Sequence, residues 1–94
     1  MLHKINEGYV ISDSGFKVKL GRHHVSYICE EGRAVTFDAE DLVGPYCLLV
    51  YFTNKIFYWR PPYSSEKLTS DELERIQSRI TEVLKFLGVN YMIQ

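Results

Sequence analysis

Apolar and polar positions alternate along the first two thirds of the chain, and the period then lengthens to three and four residues. Tyr9-Val10-Ile11 is a short β pattern that ends at the turn-like Ser12-Asp13-Ser14-Gly15. Phe16, Val18 and Leu20 alternate with Lys17 and Lys19, which predicts one buried and one solvated face, and Gly21-Arg22 closes the strand. Val25, Tyr27 and Cys29 alternate with His24, Ser26 and Ile28. Glu30-Glu31-Gly32-Arg33 then has the length and glycine of a tight hairpin leading into Ala34-Val35-Thr36-Phe37. The stretch from Asp38 to Pro45 reads as a polar connection, with room for one helical turn. Cys47-Leu48-Leu49-Val50-Tyr51-Phe52 is apolar throughout and predicts a central strand covered on both faces. Thr53-Asn54-Lys55 turns the chain into a further strand, Ile56-Phe57-Tyr58-Trp59, and Arg60-Pro61-Pro62 ends the sheet because proline cannot donate to a ladder. Loops this short imply antiparallel, meander-like pairing, since a parallel pair needs a crossover of about a dozen residues.

Beyond Leu68 the pattern is helical. Thr69-Ser70-Asp71-Glu72 has the spacing of a capping box, and Leu68 and Leu73 stand where a hydrophobic staple places them. Asp71, Glu72 and Glu74 crowd the positive end of the helix dipole. Leu73, Ile76, Ile80, Val83, Leu84 and Leu87 form one stripe, and Gly88 reads as the stop. Ser70 to Leu87 would span roughly 27 Å. Val89-Asn90-Tyr91-Met92-Ile93 alternates again and offers a last strand. The expected fold is α+β: a mainly antiparallel sheet of five to six strands with one long C-terminal helix packed on a face, in a single domain over residues 1–94.

Composition narrows the class without naming a function. Hydrophobic residues make up 46% and charged residues 24%, close to a globular average, which argues against a disordered chain. The net charge of −1 lacks the basic excess of a general nucleic-acid binder. The longest apolar run is far short of the ~20 residues that cross a bilayer, and no signal-like stretch opens the chain. Two cysteines build no disulfide framework. The expectation is a cytoplasmic domain with no membrane association. Seven of the thirteen aromatic residues lie between Tyr46 and Tyr63, which suits either a sheet that needs large side chains for its core or an aromatic binding face.

The distribution of charge says more than its total. Residues 1–29 hold four basic and two acidic residues, for +2; residues 30–45 hold five acidic residues and Arg33, for −4; residues 46–94 hold six basic and five acidic, for +1. The acidic set, Glu30, Glu31, Asp38, Glu40 and Asp41, is either a solvated loop region or one negative patch that steers a basic partner. Catalysis finds little to work with. Cys29 and Cys47 sit in apolar strand patterns, where free cysteine usually acts as a small buried hydrophobe. His23 and His24 are neighbours on a strand-turn segment, point to opposite faces, and lack the second ligand pair of a structural zinc site. No catalytic residue, cofactor or metal is expected. Trp59-Arg60-Pro61-Pro62-Tyr63 is the most distinctive text: Trp59 fits a plug between sheet and helix, and Arg60 fits either packing or partner contact.

Together, Tyr27…Glu31-Gly32-Arg33, then Glu40…Leu42, then Ile56…Trp59-Arg60-Pro61-Pro62, and the helix from Leu68 with Glu72, Ile76, Ile80, Leu84 and Gly88, resemble the bacterial immunity protein 74 family of polymorphic toxin systems. The resemblance covers roughly Val25 to Ile93 and does not extend to the first 24 residues. It implies a non-catalytic cytoplasmic protein that binds and neutralises a cognate toxin by occlusion, and the negative segment, read separately, would suit a toxin with a basic surface such as a nuclease cleft. Glu30, Glu31, Asp38, Glu40 and Asp41 would steer the toxin, with Tyr46, Arg60 and Tyr63 as anchors of the kind favoured at interface hot spots. A homodimer is compatible with this reading. The alternative is a single-stranded nucleic-acid module that stacks bases on sheet aromatics beside Lys17, Lys19, Arg22 and Lys55.

Overall fold

A computed structural model describes residues 1–29, 31–41, 47–52 and 56–94. The elements run β1 (Leu2–Asn6), β2 (Tyr9–Ser12), β3 (Lys17–Leu20), β4 (His24–Ile28), β5 (Ala34–Asp41), β6 (Cys47–Val50), α1 (Ser70–Leu87) and β7 (Asn90–Ile93). The strands form one sheet in the order β1-β2-β3-β4-β5-β6-β7. Every pairing is antiparallel except β6 with β7, which is parallel. The architecture is therefore α+β and mostly antiparallel, with seven strands in place of the expected five to six.

Alternation decides which face is covered. Val10, Val18, Val25, Tyr27, Val35, Phe37, Ala39, Leu48 and Val50 are buried and point to the inner face. The register brings Val10 opposite Val18, Val18 opposite Tyr27, Tyr27 opposite Val35, and Ala39 opposite Val50. Helix α1 packs Ile76, Ile80, Val83 and Leu84 into the same core. It reaches both β1 and β7, so the sheet curls around it. Phe37 is the centre of an aromatic cluster, with the Phe52 and Phe57 rings 4.8 and 4.7 Å away. Trp59 is buried in that core, as a plug between sheet and helix would be.

The helix is built as its sequence dictates. Thr69 Oγ1 accepts from the Glu72 amide at 3.1 Å, and Glu72 Oε1 accepts from the Thr69 amide at 2.9 Å. At the other end Gly88 is left-handed (φ 72°). Its N–H bonds the Lys85 carbonyl at 3.1 Å while that of Val89 bonds Leu84 at 3.0 Å, a Schellman pair. Leu73 and Leu87 are half-buried against the core rather than fully covered.

Several sequence expectations need correction. β1 has no apolar alternation, because as an edge strand it offers only Leu2 to the core and leaves His3 to Asn6 exposed. Asp38 to Asp41 is not a connection but the second half of β5: Ala39 is 3% exposed, and the alternation simply continues past Phe37. Leu42 to Pro45 and the turn at Thr53 to Lys55 lie outside the described residues. Ile56 to Trp59 keeps its alternation, with Phe57 and Trp59 buried and Tyr58 exposed, yet it forms only a bridge from Tyr58 to Lys67 rather than a strand. β6 lies inside the sheet but is covered on one face only, since Leu49 remains half-buried. β7 is the offered last strand, and it runs parallel to β6 because the segment containing α1 supplies the long crossover that such pairing requires.

Candidate functional site: the outer face of the sheet

The outer face is what alternation leaves over. Across the middle strands one row runs Tyr9, Lys19, Ser26 and Thr36, and the next runs Ile11, Lys17, Ile28 and Ala34. Farther along, His24 faces Asp38 and Glu40 faces Leu49, which in turn faces Met92. No helix packs on this face among the described residues. It is bipolar: Lys17 and Lys19 stand on β3, and Asp38 and Glu40 stand on the distal half of β5.

Arg60 belongs to this face as well. Its amide bonds the Ala34 carbonyl at 2.8 Å, which ties the segment alongside the first half of β5. Its Nη2 donates to Ser26 Oγ at 2.9 Å and also to Thr36 Oγ1, and the two hydroxyls lie 3.3 Å apart. Ser26 is only 5% exposed because this guanidinium lies across it. The sequence left Arg60 between packing and partner contact; its hydroxyl partners fix it in place while the side chain remains exposed.

The described acidic residues of the set do not gather into one patch. Glu31 sits in the β4–β5 hairpin, its Oε2 3.9 Å from Arg33 Nε. Asp38, Glu40 and Asp41 lie toward the far end of β5, ~13 to ~23 Å from its first residue, Ala34, at ~3.3 Å per residue. Asp41 pairs with Leu48 and so has inner-face parity, unlike Asp38 and Glu40. Glu40 Oε2 accepts from the Tyr51 hydroxyl at 2.9 Å, and this bond raises the phenol above its ordinary value of 10.0. Glu30 and Tyr46 lie outside the described residues. Tyr63 is half-buried against the core, not exposed, with the Arg33 guanidinium 4.6 Å over its ring and Arg33 held by Glu66 at 2.9 Å. The aromatic exposed beside Arg60 is Tyr58, at 51%. The alternation Phe57-in, Tyr58-out was legible in the sequence as the signal for it.

Other features offer weaker chemistry. At the β1–β2 edge, His3 Nε2 lies 2.6 Å from Asp13 Oδ1, and that bond holds the Asp13 carboxyl below its ordinary value. Between the β4–β5 hairpin and α1, Cys29, Arg33, Trp59, Arg75 and Arg79 line a cleft of about 90 Å³. That is well below the ~300 Å³ at which small-molecule sites begin. Cys29 is a free, half-buried thiol; the side chain of Cys47 lies outside the described part. Among the described residues no group of three His, Cys, Asp or Glu side chains could hold a metal ion, and no helix is long and apolar enough to cross a membrane. No protein-family model, curated protein or solved structure matches the chain.

Proposed function

We propose that the protein is a non-catalytic immunity protein of the cytoplasm, which neutralises a cognate bacterial toxin by covering a functional surface of it. The observation that carries the reading is the outer sheet face: no helix layers it among the described residues, and exposed Asp38 and Glu40 share it with half-buried Leu49 and exposed Met92. A stable inhibitor contact needs about 800 Å² per partner, and the face of a seven-stranded sheet supplies an area of that order. Carboxylates at one end attract a basic toxin surface, such as a nuclease cleft, and speed encounter without adding much affinity. The apolar side chains beside them supply the buried contact. Tyr58 is the better aromatic anchor than Tyr63, whose ring is already occupied by Arg33.

Co-expression of the chain with the toxic domain encoded beside its gene should restore growth of a bacterial host. Replacing Asp38 and Glu40 by lysine should slow association about tenfold or more at low salt and flatten its salt dependence, with an unchanged circular dichroism spectrum. Failure of the unaltered chain to protect would refute the reading.

A further inference from the structure

We propose that Arg60, Lys19, Ser26 and Thr36 form a binding site for a phosphate-class oxyanion on the outer face of the sheet. Three cations are set on this region by two separate segments: Lys17 and Lys19 from β3, and Arg60 from the chain that follows the core aromatics. None of the three has a carboxylate within ion-pair distance among the described residues. Uncompensated like charges on one surface repel, and an oxyanion removes that cost while gaining charge-assisted hydrogen bonds.

The guanidinium is also prepared for the task. Its Nη2 is committed to the two hydroxyls, and its amide to Ala34, so little rotamer freedom remains to be lost on binding. Nε and Nη1 make no hydrogen bond among the described residues, and the side chain is exposed. Lys19 is the cross-strand neighbour of Ser26, which puts the two Cα atoms ~5 Å apart. Its ammonium lies 4.9 Å over the ring of Tyr9, the neighbour on the opposite side from Ser26, so Lys19 is on the face and turns from that ring to meet a bound oxyanion. The Ser26–Thr36 hydroxyl pair adds a donor that can turn toward a bound oxygen. An oxyanion is favoured because the charged guanidinium, a point ammonium and a hydroxyl offer single donors of three kinds to the oxygens of one centre.

Such a phosphate comes either from a free monoester or from a nucleic-acid backbone. Titration with inorganic phosphate, against chloride at matched ionic strength, should move the Arg60 Nε–H and the Ser26 and Thr36 amide resonances along a saturable curve. Arg60→Gln should weaken binding at least about tenfold, and Lys19→Gln about three- to tenfold. Lys19 is exposed with only the Tyr9 ring as partner, so its replacement leaves the fold intact even if Arg60→Gln disturbs it. Arg60→Lys keeps the charge and loses the hydroxyl-anchored guanidinium with its Nε–H and Nη1 donors, and should bind more weakly than the unaltered chain and more tightly than Arg60→Gln. Comparison of a nucleoside monophosphate with a single-stranded oligonucleotide separates the sources. Equal affinity assigns a free monoester, whereas affinity that grows with length and falls steeply with salt assigns a backbone. A response no different from chloride, or a saturable response unchanged in both Arg60→Gln and Lys19→Gln, overturns the site. The growth test of the toxin reading is independent of either result.

Discussion

At the scale of single residues, the outer face is governed by which polar groups have found partners. Tyr51 donates to Glu40, and the bond favours the neutral phenol. A raised folded-state value means that the bond contributes below pH 10.0, the unfolded value, and is lost as pH rises through the folded one. Tyr51 should therefore ionise later than an unperturbed tyrosine in a near-UV phenolate titration, and Glu40→Gln should bring it back toward its ordinary value. Asp13 has the opposite sign. Its depressed carboxyl contributes above the unfolded value of 3.8, and the contribution is lost as pH falls through the folded one. Arg60 differs from both in that its side-chain partners are hydroxyls rather than ionisable groups. Nothing in the spacing of Trp59-Arg60-Pro61-Pro62 announces those partners, because Ser26 and Thr36 lie 34 and 24 residues away.

Among the elements, α1 is the one whose every device is local. Capping box, stripe and left-handed stop fall within twenty residues of one another, so sequence reading places the helix to the residue. Thr69→Ala should cost about 1 kcal/mol through the lost cap. Gly88→Ala should cost about 1–2 kcal/mol, since a Cβ there meets open space and only the backbone strain counts. Urea midpoints with unchanged slopes would check both. The strands were legible where one face is buried and one solvated, as in β3, with Val18 in and Lys19 out. They were not legible where solvent reaches most side chains, as in β1, or where acidic residues occupy the outward positions, as in the second half of β5. Ile56 to Trp59 errs the other way: its alternation reports burial against Phe37, which does not require a ladder.

For the whole molecule, the decisive feature is that, among the described residues, one helix serves a seven-stranded sheet. It covers the concave side from β1 to β7 and leaves the other side to polar and half-buried residues. The parallel β6–β7 pair also leaves β7 as an uncharged edge with no proline or bulge to blunt it. The Gln94 amide bonds the Val50 carbonyl, and parallel geometry then turns the amides of Tyr91 and Ile93 to the free side. Hydrogen exchange should be faster at Tyr91 and Ile93 than at Met92 and Gln94, and slowest in β4 and the buried first half of β5. Uniform exchange along β7 would mean that its outer edge is paired in solution. The candidate site is likewise a whole-molecule property: Lys19, Ser26 and Thr36 become neighbours only through the register of three strands.

By itself the sequence determined the helix with both its ends, the inward set of the middle strands, the Trp59 plug and the broad α+β class. Those follow from periodicity and capping, which act over a few residues and need no partner. Tertiary structure alone decided that Asp38 to Asp41 stays in the sheet, that the last strand runs parallel, and that the described acidic residues divide between the two ends of β5. It also decided that Arg60 lies across Ser26 and Thr36. These depend on which segments meet, and contacts between distant segments are set by the packing of the core rather than by local preference.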